Sequence, residues 1–296
     1  MGAIFQAFLY VIIFFTFPET LFSRKDFNKL EGKSYLYKLV PHGKVLDRKP
    51  KVQDFLTPYR MMKYWTVLLP AIYYGTVNCW GSALFAVTGS YLAAEMYHFN
   101  TARTGLLMGI PLTIGCTIGE CMAGWISDVI INSYARRHNG RRKPEVRLFL
   151  LPLALTLNIG VIVYGILVER KASWIGLAVC MGVAGIGVQI ATTVVYTYCT
   201  DSYKPQSAEL GAVLNLFKQR MPSRIFHERS LKLIITVIAF NLPFYALPFG
   251  QTKGFGVSFG VLGALNFAFM LPLFYLIFKG EQIREKQGLP EIHQDL

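Results

Sequence analysis

Charge is what this chain has least of. Only 16% of its 296 residues are Asp, Glu, Lys or Arg, and the acidic ones number 17 against 30 basic. So small a charged fraction beside 53% hydrophobic residues argues against a pair of ordinary soluble domains, in which about a quarter of residues are charged. Cysteine is sparse too. Cys79, Cys116, Cys121, Cys180 and Cys199 all fall in or at the end of apolar runs, at no metal-ligand spacing, so they read as small packing residues and not as a disulfide framework or a metal site. The five histidines are scattered through loops and the tail without a cluster. There is no HExxH and no glycine-rich phosphate loop ending in Lys-Ser/Thr, so neither a metalloprotease nor a P-loop enzyme is expected, and no cofactor.

What the sequence has instead is long apolar runs. Seven stand out, at residues 2–17, 64–90, 104–126, 148–168, 174–199, 233–249 and 254–278. About 20 helical residues cross the roughly 30 Å of bilayer hydrocarbon, so most of these runs can span; the first and sixth are short. The fold class expected is all-α and integral to a membrane, with seven transmembrane helices. No basic segment precedes the first run, and PETLFSRK follows it where a small-residue cleavage site would stand. It therefore reads as a span whose beginning is missing and not as a signal peptide.

A net charge of +13 raises the question of nucleic acid, and the distribution of the basic residues answers it. Between successive runs, and then in the tail, Lys plus Arg number 11, 1, 6, 2, 6, 1 and 3. High and low alternate throughout. This is the positive-inside pattern, and it puts 26 of the 30 basic residues in the cytoplasm, with the amino terminus outside and the carboxyl terminus inside. Lipid headgroups, which attract juxtamembrane Lys and Arg by about 1 kcal/mol each, then account for the charge without a nucleic-acid partner. Tyr64, Trp65, Tyr91, Trp174 and Tyr203, at the run ends, suit interfacial anchoring.

The organisation is one helix, 1–17, a basic cytoplasmic linker, 18–63, broken by Pro41, Pro50 and Pro58, a six-helix bundle, 64–280, and a cytoplasmic tail, 281–296. One feature is out of place. QRMPSRIFHERSLK, residues 219–232, interrupts the apolar stretch AELGAVLNLF and leaves LIITVIAFNLPFYALPF to cross alone, so it reads as an insertion foreign to the working protein. One span, a long linker and six more spans are the arrangement expected of the back half of a twelve-span transporter carrying the last helix of its front half.

Three stretches suggest a family. PETLFSR after the first span, GWISD followed by GRRKPEVRL, and YTYCTDSYKPQSAELGAVLNLFK resemble, in order and on the matching membrane side, major facilitator superfamily transporters, especially a fungal-type branch grouped with drug:proton antiporters. The seven helices would then correspond to helices six to twelve of a twelve-helix transporter. The resemblance covers nearly the whole chain apart from 219–232 and implies solute transport, with a small-molecule solute, the proton, membrane lipids and a missing N-terminal half as partners. It also implies a cytoplasmic gate at Gly124, Asp128, Arg141 and Arg142. A glycine permits close helix approach, and an aspartate at a helix end can pair with a guanidinium. Glu145 and Arg147 could add a second pair on the next helix.

Only one ionisable residue stands clear of the run boundaries, Glu120 in TIGECMAGWISD. Intramembrane carboxylates are costly and functional by default, which makes Glu120 the proton-coupling candidate; pairing with a cytoplasmic arginine or snorkelling to the interface is the plainer alternative. Tyr74 and Asn78 lie one turn apart, and Gln189, Thr192, Thr193 and Tyr196 form a stripe at helical spacing. In the family their helices match the seventh and tenth, which line the cavity, so Tyr74, Asn78, Gln189, Thr193 and Tyr196 are expected to line the substrate pathway. Asn158 and Asn266 match peripheral helices. Gly105 with Gly109, Gly115 with Gly119, and Gly256 with Gly260 read as helix-packing contacts.

Two other classes compete with a transporter. Seven spans with the amino terminus outside is also the topology of a receptor, against which stand the 46-residue basic first loop and the absence of suitably placed loop cysteines. A membrane-embedded enzyme would need convergent His, Asp or Glu, and Glu120 is alone. Alternating access requires two bundles, so the chain by itself is expected not to transport.

Overall fold

The structure, a computed structural model, describes residues 2–16, 58–140, 142–218 and 245–288. Most of the expected linker, the expected insertion at 219–232 and Arg141 lie outside the described residues. The chain divides into two units, Met1–Phe55 and Leu56–Leu296. In the first, α1 (Gly2–Thr16) is a 15-residue apolar helix, roughly 22 Å long at about 1.5 Å per residue.

All described elements of the second unit are helical. Trp65 to Tyr97 is one helical column in which α2 (Trp65–Asn78) passes through a π-helical turn, Cys79–Leu84, into α3 (Phe85–Tyr97). The π turn falls where backbone meets side chain closely: a Cβ on Gly81 would lie 2.0 Å from Val188 Cγ2. Next to it, the Trp80 indole donates to the Leu262 carbonyl at 2.9 Å. Helix α4 (Thr101–Arg137) starts at Asn100, whose side chain accepts from the Arg103 N–H at 3.0 Å, an N-cap. It ends where Asn139 and Gly140 take positive φ.

A 3-10 stretch, Pro144–Ala154, opens on a proline and leads into α5 (Leu155–Glu169). Helices α6 (Trp174–Ser202), α7 (Ser207–Lys218) and α8 (Phe255–Gln287) follow, with a short helical segment at 245–253 before the last. Helix α8 is about 50 Å long, more than a bilayer core needs. The tail expected from residue 281 therefore begins as a continuation of this helix, which is capped at Gly288, with φ of 71°.

Four helices among the described residues are long and apolar enough to cross a membrane: Thr101–Arg137, Pro144–Glu169, Trp174–Ser202 and Phe255–Gln287. The expectation was seven. The second expected span is helical from Trp65 onward but divided by the π turn, the first is short, and most of the sixth lies outside the described residues.

Helices α4 and α6 meet along a line of small residues. The buried residues of α4 from Gly115 onward recur every fourth position, at Gly115, Gly119, Ala123, Ser127, Ile131 and Ala135. A Cβ on Gly115 would lie 2.1 Å from the Gly182 carbonyl oxygen, and one on Gly119 would lie 2.6 Å from that of Ile186. Backbone here packs on backbone, as small residues allow between membrane helices. Of the three expected glycine pairs only this one forms a helix seam. Gly105, Gly109 and Gly260 face open space, and Gly256 instead donates its N–H to Glu169 at 2.8 Å. Deeper in the unit, Phe85 meets Tyr164 edge to face and Phe259 packs tilted against the same Tyr164, with ring centroids 5.1 and 5.3 Å apart.

Candidate functional site

The seam brings a carboxylate to α6. Gly119 sits where a Cβ would be 3.0 Å from Gln189 Cβ, and this closeness lets the next residue reach across. Glu120 Oε2 accepts from Gln189 Nε2 at 2.5 Å and from Thr193 Oγ1 at 2.6 Å. Both donors converge on one carboxylate oxygen. The side chain is otherwise exposed. Among the described residues Glu120 thus pairs with neutral α6 donors and with no arginine.

The remaining pathway candidates are placed differently. Tyr196 is 41% exposed, with its hydroxyl 3.3 Å from where a Gly211 Cβ would be. Asn78 spends its amide on its own helix, donating to the Tyr74 carbonyl at 2.8 Å. Thr192 is buried and bonds back to the Val188 carbonyl at 2.9 Å, so it leaves the polar stripe. Among the described residues no hydrogen bond links Tyr74 or Asn78 to the Glu120 trio.

At the other end of the seam lies a charged network, and here the expected pairings change. Arg147 is its hub. It donates from Nε to Asp201 Oδ2 at 2.7 Å, from Nη1 to Ser127 Oγ at 2.7 Å, and lies 3.4 Å from Asp128 Oδ1. Asp128 thus meets Arg147 and not Arg142, whose Nη2 reaches Asn132 at 3.5 Å. The reason is geometric. Gly124 and Asp128 each stand one residue off the buried line that carries Ala123 and Ser127. Gly124 accordingly has nothing within 4 Å of its missing Cβ and is not a close-approach glycine. The Asp128 side chain is 68% exposed.

Glu145 does not pair with Arg147. Its carboxylate, 6% exposed, faces Arg284 of α8 with Oε1 2.9 Å from Nη2, an ion contact without a well-directed hydrogen bond. Gly280 makes room for it, since a Cβ there would lie 2.9 Å from Glu145 Cγ. Lys143 reaches Glu281 at 2.6 Å. The sequence reading missed Asp201, Arg284 and Ser127. Asp201 could have been found as the sole acidic residue of the run 174–203, at its basic-side end; nothing local marks Ser127 as a partner.

The sequence does hold one formal match to a hydrolase motif, Gly256-Val-Ser-Phe-Gly260, which spells GxSxG. Ser258 there is fully buried inside α8 and donates to the Ala246 carbonyl at 2.9 Å, so it lacks the exposed strand-to-helix elbow that motif requires. Among the described residues no group of three or more His, Cys, Asp or Glu is placed to hold a metal.

Apolar helices of this length, packed through glycine and carrying ions at their ends, define an integral, multi-pass membrane protein. Curated proteins narrow the class: the chain is a distant, partial relative of MFS-type transporters. It is 30% identical over 161 residues to "MFS transporter cpaT" of Aspergillus oryzae, covering 54% of this chain and 31% of that protein. It is 24% identical over 289 residues to "Uncharacterized transporter C1529.01" of Schizosaccharomyces pombe, covering 95% and 54%. It is 23% identical over 211 residues to "Probable efflux pump mfs2" of Aspergillus flavus, covering 70% and 46%. The chain thus spans about a third to a half of the relatives it matches. No family model matches it, and no solved structure does.

Proposed function

We infer that this chain moves a small solute across a membrane, coupled to protons, as the C-terminal six-helix unit of an MFS-type transporter with an N-terminal half as its partner. The observation that carries this reading is Glu120, a carboxylate near the middle of a 37-residue apolar helix, held by Gln189 and Thr193 of the neighbouring span. A charge at such a depth is costly unless it is used. With both donors on Oε2, the second oxygen is left to take a proton. Gln189, Thr193, Tyr196, Tyr74 and Asn78 supply the polar and aromatic lining of the solute pathway. The gate is the Arg147 network with Asp128, Ser127 and Asp201, supported by Glu145 and Arg284. These pairs join α4, the 3-10 stretch, α6 and α8 at one membrane face and would break as the bundle rocks. The positive-inside count puts that face in the cytoplasm and the amino terminus outside.

The test is made in vesicles carrying the chain with its upstream reading frame. Under a pH gradient and a mixture of small solutes read by mass spectrometry, at least one solute should accumulate above empty vesicles. Glu120→Gln should abolish the dependence on the gradient. No accumulation of any solute would remove the transport reading, and gradient-driven accumulation unchanged in Glu120→Gln would remove that residue from proton coupling.

A further inference from the structure

At the end of α4 and α6 opposite the charged network there is an open apolar groove of about 530 Å³, within the range of roughly 300–1,000 Å³ typical of ligand sites. One end is closed by Phe99 and Trp174, whose rings meet edge to face at 6.3 Å. Arg103, in the first turn of α4, stands at the rim. Its side chain makes no ion pair and no hydrogen bond among the described residues, its backbone N–H alone being used by the Asn100 cap. Leu106 and Ile110, 59% and 52% exposed, lie one and two turns further along, and Ala178 of α6 forms part of the opposite wall. Ile110 is about 10 Å along the helix from Arg103.

The groove also opens onto a longer surface. Leu106, Ile110, Ile114 and Ile118, then Trp125 and Val129, are all exposed and recur at intervals of four or seven along α4, a single apolar stripe. A face of this kind is suited to acyl chains. Its boundary is marked by Trp174, 45% exposed, a residue type that sits at the headgroup level. A cation at the boundary with hydrocarbon directly beneath it has the polarity profile of one phospholipid molecule.

We propose that this groove is a binding site for a glycerophospholipid, whose phosphodiester pairs with the Arg103 guanidinium and one of whose acyl chains lies over Leu106 and Ile110 against Ala178. Guanidinium and phosphate match in charge and in fork geometry. The site is independent of transport, since it requires only that the helices cross a membrane.

The experiment uses the full chain, purified in detergent and titrated with palmitoyl-oleoyl phosphatidylglycerol or with the diacylglycerol of the same chains, adducts being counted by native mass spectrometry. One phosphatidylglycerol should be retained where the diacylglycerol is lost, a comparison that needs no variant. Arg103→Gln should weaken retention by about tenfold, the effect of one charge-assisted contact. Arg170→Gln, which removes another exposed arginine at the same end of the bundle, should leave it unchanged, and Ala178→Trp should expel the lipid by filling the groove. Equal retention of the two lipids, or equal loss in Arg103→Gln and Arg170→Gln, would overturn the proposal.

Discussion

Arg147 Nε lies 2.7 Å from Asp201 Oδ2, while the same guanidinium also donates to Ser127 and faces Asp128. One planar side chain, 14% exposed, thereby ties together three elements. The contacts differ in worth because their burial differs. The bond to Asp201 is short and largely shielded, whereas Asp128 is at 3.4 Å and mostly in solvent.

From this ranking, Asp201→Asn should destabilise the purified protein by about 1.5–3 kcal/mol, the range for a hydrogen bond to a charged group. Asp128→Asn should cost less than about 1 kcal/mol, as exposed ion pairs do. Arg147→Lys should not restore Arg147→Gln, since an ammonium cannot present the guanidinium fork. Thermal unfolding in detergent reads all four variants. A larger loss from Asp128→Asn than from Asp201→Asn would reverse the ranking.

The α4–α6 seam sorts the glycines. Gly115→Ala places a methyl 2.1 Å from a backbone oxygen and should push the helices apart at a cost of about 1–3 kcal/mol, as overpacking does. Gly109→Ala, with nothing within 4 Å, should be neutral or stabilise by up to about 1 kcal/mol through helix propensity. Unfolding midpoints of the two variants give the comparison.

Asn266 donates to Asn158 at 2.5 Å between α8 and α5, and its own Oδ1 is buried without a hydrogen-bond partner. Asn158→Leu alone should cost about 1–3 kcal/mol by stranding the Asn266 amide. The double variant Asn158→Leu with Asn266→Leu should recover most of that loss, because interhelical hydrogen bonds in membranes average only about 0.6 kcal/mol. A double-mutant cycle with no coupling would show that the two side chains act separately.

Orientation is open to labelling. Asn139 is exposed in the turn after α4. A cysteine placed there, in a background freed of the exposed Cys121, should react with a membrane-impermeant maleimide only after cells are opened. Reaction in intact cells would invert the topology read from the charges.

The membrane class and the all-α fold were legible because hydropathy is additive along the chain: each apolar run needs no knowledge of its neighbours to be recognised. Glu120 was legible for the same reason, since a carboxylate inside an apolar run stands out wherever its partners lie. Its partners Gln189 and Thr193 were on the expected stripe, but the contact itself depends on Gly119 admitting α6.

The ion pairs were not legible. Sequence order leaves Asp128 to either Arg141 or Arg142 and sets Glu145 beside Arg147, whereas among the described residues Asp128 meets Arg147 and Glu145 meets Arg284. The buried line of α4 advances every fourth residue, so it carries Ser127 and leaves Gly124 and Asp128 beside it. That places Arg147 against Asp201, while α8, long enough to continue past the bilayer core, delivers Arg284 to Glu145. The sequence by itself determined which segments enter the membrane and where charge collects, because those follow from local composition. Which charges meet was decided only by tertiary structure, because Arg147 finds its carboxylate partner Asp201 54 residues further along the chain, brought to it by how closely the helices approach and at what angle they cross.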